Sequence, residues 1–206
     1  AHRRLIYDEF FFFQLGMAVR KSGRVLEKGI SFSRGGNWLA KFFASLPFEL
    51  TGAQKRVVEE IQKDLQKPTA MNRLLQGDVG SGKTLVAMSA MITVCENGYQ
   101  AALMAPTEIL AKQHDATLCA WAEPLGLRVV LLTGGMNGAA RTEALERIRS
   151  GKADIIVGTH ALIQEDVDFR KLGLVVIDEQ HRFGVLQRAT LRNKGLSPDV
   201  LVMTAT

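Results

Sequence analysis

Residues Gly77-Asp78-Val79-Gly80-Ser81-Gly82-Lys83-Thr84 make a complete G-x-x-x-x-G-K-[ST] phosphate loop. The loop follows an apolar stretch, Met71 to Gln76. It opens a helical one carrying Leu85, Val86, Met88, Ala90, Met91 and Val94, and that strand–loop–helix context gives the pattern its meaning. The glycines let successive backbone N–H groups point into a concavity that holds phosphate oxygens, and the helix N-terminus adds its positive dipole end. Lys83 is expected to reach the β- and γ-phosphates, and Thr84 to offer its hydroxyl to Mg²⁺. A glycine-rich turn that merely caps a helix is the simpler alternative. The full set of specified residues in the required context favours a bound nucleoside triphosphate.

A second cluster of polar residues lies downstream. The apolar run Leu174-Val175-Val176-Ile177 passes directly into Asp178-Glu179-Gln180-His181. An aspartate there can hold the Mg²⁺ that bridges a triphosphate, and the adjacent glutamate can polarise an attacking water as general base. Both acids could instead cap a helix beginning near Arg182. The final run ends Met203-Thr204-Ala205-Thr206, whose hydroxyls are placed to bond Gln180 or His181 and to sense the γ-phosphate. Upstream, Leu46-Pro47-Phe48-Glu49-Leu50-Thr51-Gly52-Ala53-Gln54 contains a Thr51/Gln54 capping box. The same glutamine could hydrogen-bond an adenine edge while Phe48 stacks on the base, and local sequence does not choose between these roles. Three more segments offer N–H and hydroxyl groups suited to DNA phosphates. They are Ala105-Pro106-Thr107-Glu108 followed by Gln113-His114, Thr133-Gly134-Gly135, and Val157-Gly158-Thr159-His160. Their structural alternatives are a Thr107 N-cap, a Gly-Gly turn and a Thr159 N-cap.

These groups need a scaffold that gathers them on one edge. From Pro47 onward apolar runs at 73–76, 101–105, 129–133, 155–158, 174–177 and 200–204 alternate with helical stretches near 52–66, 83–97, 107–122, 138–150 and 182–194. The runs lack polar alternation, as strands do when helices cover both faces of a parallel sheet. In such sheets ligands sit beyond the carboxyl ends of the strands, where the motifs lie. Residues 4–20 are expected to form a packing helix, with Ile6, Phe10, Phe13 and Met17 on one face. Residues 21–45 read as a basic connector ending in a short helix with Trp38, Leu39, Phe42 and Phe43. The expected organisation is therefore a helix and connector over residues 1–46 and a nucleotide-binding lobe over 47–206.

Charge alone does not argue for nucleic acid. The net charge is +5, and residues 1–46 hold eight basic against three acidic side chains, leaving 18 of each sign in the rest. A nucleic-acid reading must rest on motifs. No apolar run reaches the roughly 18 residues of a membrane span. Cys95 and Cys119, without metal-ligand spacing, are expected to be buried and reduced, as in a cytosolic protein. The chain starts Ala1-His2-Arg3-Arg4, without Met or signal-peptide character, and is expected to be a piece of a longer protein.

Taken together, the motifs resemble the first motor lobe of a superfamily-2 helicase, and at closer range the RecG family of bacterial ATP-dependent DNA helicases. The segments that carry the resemblance are residues 46–54, 75–87, 104–108 and Asp178-Glu179-Gln180-His181-Arg182-Phe183-Gly184-Val185. It covers residues 46–206, and residues 1–20 resemble the helix leading from that family's wedge domain. The transcription-repair coupling translocases are similar but tend to carry a second glutamate where this chain has Gln180. The resemblance implies a RecA-like lobe of a motor that moves on double-stranded DNA, regresses forks and migrates branched junctions, in the bacterial cytoplasm. It implies ATP and Mg²⁺ as cofactors, with Gln54 on adenine, residues Gly77 to Thr84 on phosphates, Thr84 and Asp178 at the metal, and Glu179 at the water. It further implies DNA contacts at Pro106, Thr107, Glu108, Gly134, Thr159 and His160. Gln180, His181, Thr204 and Thr206 would link hydrolysis to movement. The second motor lobe, with its arginine finger, and the wedge domain would be partners outside this chain. Other readings are a non-catalytic nucleotide-binding module and a small-molecule kinase, the latter sharing the loop but not Asp-Glu-Gln-His with Thr-Ala-Thr.

Overall fold

The computed structural model describes residues 28–33, 36–179 and 197–205. The expected helices at 4–20 and 182–194, and the residues Gln180, His181 and Thr206, lie outside the described residues.

Six strands form one wholly parallel sheet: β1 (Asn72–Gln76), β2 (Gln100–Met104), β3 (Val129–Leu132), β4 (Ile155–Gly158), β5 (Leu172–Asp178) and β6 (Asp199–Thr204), in the spatial order β1-β6-β5-β2-β4-β3. The helices are α1 (Asn37–Ser45), α2 (Gly52–Leu65), α3 (Lys83–Glu96), α4 (Glu108–Ala122) and α5 (Gly138–Arg149). Short 3₁₀ turns occupy Glu123–Leu125 and His160–Ile163.

The period of two along each strand splits the interior into two cores. Ala101, Leu103, Leu174 and Val176 face one core with α1 to α4, while Ala102, Met104, Val175 and Ile177 face the other with α5 and the second 3₁₀ turn. Both strand faces are therefore apolar, which explains the unbroken hydrophobic runs. The edge strand β1 departs from this, with Leu74 54% exposed. On α2, Val58, Ile61, Gln62 and Leu65 form the buried stripe at three- and four-residue spacing. In contrast, α3 is buried from Leu85 through Cys95, because the sheet, α1 and α2 surround it. Its polar residues are matched internally: Gln62 Nε2 donates to Thr93 Oγ1 at 2.8 Å and Ser89 Oγ to the Val86 carbonyl at 2.7 Å.

The described part of the connector packs onto the lobe. The Glu96 carboxylate at the end of α3 accepts the Gly36 and Trp38 N–H groups, each at 2.7 Å, and so satisfies the N-terminus of α1. Phe42 is fully buried and meets Trp121 edge-on with ring centres 5.7 Å apart. Phe32 is likewise buried, against Tyr99. The cysteines divide. Cys95 is buried, and that burial pushes its thiol pKa well up, whereas Cys119 is exposed on the outer face of α4, contrary to expectation. The apolar look of the stretch around Cys119 comes from Ala111, Leu118 and Ala122, which take the sheet-facing stripe instead.

At the amino edge of the sheet, Asp199 begins β6 with 1% of its surface exposed. Its Oδ1 accepts the Met71 N–H, and its Oδ2 has no partner. Burial, opposed by the Met71 N–H and reinforced by the charge of Asp64, pushes its pKa up to about 7.

Two expectations follow. Phe42→Ala should destabilise the chain by about 3–5 kcal/mol in urea denaturation, and a cost under about 1 kcal/mol would show that α1 is only loosely applied. Asp199 has a folded pKa above the unfolded value of about 3.9, so it favours folding most at low pH. That contribution is lost as pH rises from about 4 to 7, with a slope of up to about 1.4 kcal/mol per pH unit. Asp199→Asn keeps an acceptor for Met71 and should flatten this segment of the stability profile; an unchanged slope would refute the assignment.

Candidate functional site

The phosphate loop leaves β1 at Gly77, whose N–H donates to the Thr204 carbonyl at 3.3 Å. This bond joins the loop to the end of β6. Gly80 and Gly82 take left-handed backbone angles, with φ of +79° and +84°, values that glycine adopts without steric cost. Gly82 is constrained twice, since a Cβ there would sit 2.4 Å from Gln54 Nε2. Helix α3 starts at Lys83, so its first N–H groups face the loop without intrahelical partners. Lys83 Nζ bends back to the carbonyls of Gly77 and Asp78 at 2.7 and 2.8 Å. The ammonium thus sits over the loop, held by two weak dipoles that an anionic oxygen would outcompete. Val79 is 89% exposed at the loop tip.

Gln54 does two things at once. Its Oε1 accepts from Thr51 N at 2.9 Å while Thr51 Oγ1 accepts from Gln54 N at 3.2 Å, completing the capping box. Its Nε2 donates to the Ser81 carbonyl at 3.0 Å. The capping alternative is therefore realised, and the amide is also drawn to the phosphate loop. Phe48 is 52% exposed and lines an open cleft of about 530 Å³ with Phe43, Leu46 and Lys55, which Gln54 does not line.

Asp178 ends β5, and its Oδ2 accepts a hydrogen bond from His114 Nε2 on α4 at 2.7 Å, both side chains being 13% exposed. Glu179 follows with φ +53°, a left-handed angle uncommon for a residue with a side chain. Such strain concentrates at functional sites. Thr204 Oγ1 donates to the Ala205 carbonyl at 3.1 Å; Gln180 and His181, expected near it, lie outside the described residues. Among the described residues no cluster of three His, Cys, Asp or Glu could cage a metal alone.

The predicted DNA contacts assemble at the same carboxyl edge. Thr107 caps α4, accepting from Leu110 N at 3.3 Å. Glu108 Oε1 accepts from Gly135 N at 2.8 Å, and a Cβ on Gly134 would lie 3.6 Å from Glu108 Oε1 and 3.9 Å from His160 Nε2. Pro106 precedes this group in the β2–α4 turn. Thr159 holds the N-cap position of the second 3₁₀ turn, but its hydroxyl makes no capping bond and is buried without a partner. The preceding Gly158 packs closely on β3, where a Cβ would approach the Leu132 carbonyl to 2.2 Å.

His114 was grouped on sequence grounds with a segment suited to DNA phosphates, yet it touches Asp178. The signal was its spacing. Ala111, His114 and Leu118 recur at three and four residues, the sheet-facing stripe of α4.

Comparison with known proteins agrees with this geometry. The DEAD/DEAH box helicase model matches residues 51–206. All of the chain aligns with the ATP-dependent DNA helicase RecG of Synechocystis and that of Bacillus subtilis, each at 55% identity, covering 25% and 30% of their lengths. The chain thus spans about a quarter to a third of these relatives. A solved structure of RecG bound to a three-way DNA junction superimposes with TM-score 0.87 at 45% identity, over 98% of this chain and 27% of that one. The helicase MrfA, at 18% identity and TM-score 0.58, shares the fold over 82% of this chain. The sheet is accordingly the RecA-like type, and the chain belongs to the DEAD/DEAH box helicase family, similar along its whole length to RecG.

Proposed function

We propose that this chain is the ATP-binding first motor lobe of a RecG-like DNA translocase, acting in the bacterial cytoplasm on branched double-stranded DNA. The observation that carries the reading is the convergence of two kinds of group on one sheet edge. The phosphate loop and Asp178 lie at the ends of β1 and β5, and the Glu108–Gly135–His160 group surrounds the ends of β2, β3 and β4. A fork-remodelling motor needs nucleotide and DNA sites on one rigid body. Residues 47–206 form the lobe in this reading, and residues 1–46 lead in from a wedge domain.

The residues suit ATP with Mg²⁺. The backbone N–H groups of the Gly77–Thr84 loop other than those of Gly77 and Ser81, already bonded to Thr204 and Asp78, cradle phosphate oxygens, and Lys83 exchanges its two carbonyl partners for the β- and γ-phosphates. Gln54 reads adenine with Phe48 beside it while holding Ser81 in place. The hydroxyl of Thr84 and the carboxylate of Asp178 are hard oxygen donors. That sparse set fits Mg²⁺, which keeps waters and substrate phosphates among its ligands. When bound, the ion neutralises charge on the phosphates. Glu179 orients a water and takes its proton. On the DNA side, Pro106, Thr107, Glu108, Gly134, Thr159 and His160 line the strand path, Thr159 through its backbone because its hydroxyl is buried. Gln180, His181, Thr204 and Thr206 pass the state of the nucleotide to a second lobe.

That second lobe and its arginine finger are not within these 206 residues. Since such a finger is worth ~10³–10⁵ in turnover, the chain should bind Mg-ATP yet hydrolyse it slowly, with or without forked DNA. Lys83→Ala should weaken binding at least about tenfold, as loss of a charge-assisted contact does, measured by calorimetry. Robust DNA-stimulated turnover by this chain would contradict the account. In the complete protein, Glu179→Gln should cut turnover by about 10²–10⁴-fold and spare ATP binding; a negligible effect would favour the non-catalytic module.

A further inference from the structure

The bond between His114 and Asp178 serves none of the roles assigned so far. His114 Nε2–H donates to Asp178 Oδ2 at 2.7 Å, and both groups are largely withdrawn from solvent. The bond anchors one oxygen of the carboxylate, and it leaves Oδ1 unclaimed by the imidazole. The donor comes from α4, not from the strand layer that carries Asp178. Six residues earlier the same helix begins at Glu108, whose carboxylate holds the Gly135 N–H at 2.8 Å. Six residues of helix span about 9 Å, so one rigid turn-and-a-half links the Gly134–His160 edge to the Asp178 carboxylate.

We propose that His114 is a positioning residue for the metal-nucleotide site, setting Asp178 and making the site's affinity for a metal-bound nucleotide depend on where α4 sits. The proposal rests on the reading of Asp178 as a metal ligand given above. Hydrogen bonds that orient a metal ligand from behind typically change metal affinity by 10–100-fold when removed. DNA seated against Glu108 and Gly134 shifts or fixes α4, and His114 carries that displacement to the carboxylate. By linkage, nucleotide then alters DNA affinity by the same factor.

The test compares His114→Phe, which keeps the ring volume without a donor, with His114→Gln, whose Nε2 occupies the position of the lost N–H. Affinity for ADP is measured by calorimetry with Mg²⁺ and with EDTA, each with and without a forked DNA duplex, using Lys83→Ala as the control. H114F should weaken Mg-ADP binding about 10–100-fold and leave metal-free ADP binding unchanged, while H114Q stays near the unaltered chain. Forked DNA should change Mg-ADP affinity in the unaltered chain and in H114Q but not in H114F. Equal Mg-ADP affinity in H114F and the unaltered chain overturns the proposal. So does an equal loss with Mg²⁺ and with EDTA, which marks a general packing defect. A DNA effect of the same size in all three, or in none, removes the link through α4. If the unaltered chain binds ADP no better than Lys83→Ala, the nucleotide-site reading itself fails, and with it this inference.

Discussion

A loop that binds phosphate through its backbone must be rigid while leaving most of its N–H groups unspent, and the rest of this lobe depends on meeting that demand. Regular structure gives rigidity by consuming N–H groups, so the loop between β1 and α3 is braced from outside instead. Gly77 spends its N–H on the Thr204 carbonyl and Ser81 its N–H on the Asp78 carbonyl, Gln54 holds the Ser81 carbonyl, and Gly80 and Gly82 turn the chain through left-handed angles. The deepest brace is α3 itself, which is buried on every side from Leu85 to Cys95 and cannot shift without opening the core. Its first turn is therefore a fixed N-terminus with a fixed dipole, against which the flexible Lys83 ammonium is the moving part.

The elements were legible because burial on both faces leaves a strong compositional mark. Each of β2 to β5 appears in the chain as an unbroken apolar run, and their boundaries lie within two residues of those read from sequence. The phosphate loop was legible because its chemistry needs particular residues at fixed spacing. Other features were not, each for a stated reason. Gln54 satisfies a capping box and the loop together, so local sequence could not separate the two functions. Thr159 takes the N-cap position its sequence suggests, but its hydroxyl is buried without making the capping bond. Cys119 sits in an apolar-looking stretch whose buried stripe it misses by one residue, Leu118 taking that place. The pairing of His114 with Asp178 joins residues 64 apart in the chain, and only sheet order brings them together.

Strand order also explains why distant motifs meet. The chain runs β1 to β2 across two empty positions, builds β3 and β4 outward, then returns to fill the gap with β5 and β6. The returning strands place Asp178 and Thr204 between the phosphate loop and α4. Residues from the last third of the chain thus come to touch both the loop, through Gly77, and the helix, through His114. A sheet filled in sequence order would have separated these groups by the widths of several strands, at roughly 4.8 Å each.

Two aspartates on adjacent strands show how environment assigns different tasks to one side chain. Asp178 ends β5 at the carboxyl edge, partly exposed, with an imidazole donor at 2.7 Å. That setting supports a carboxylate ready to meet a cation. Asp199 begins β6 at the opposite edge, buried, with one backbone donor, an unpartnered oxygen and the charge of Asp64 nearby. That setting disfavours the charge, and the pKa of about 7 follows. In a parallel sheet every strand points the same way, so one edge collects strand ends open to ligands while the other is closed by connections. The ligand-facing edge can expose a charged acid without loss of packing. At the closed edge burial favours the neutral form of the same acid, and there it holds the starts of β1 and β6 together through Met71.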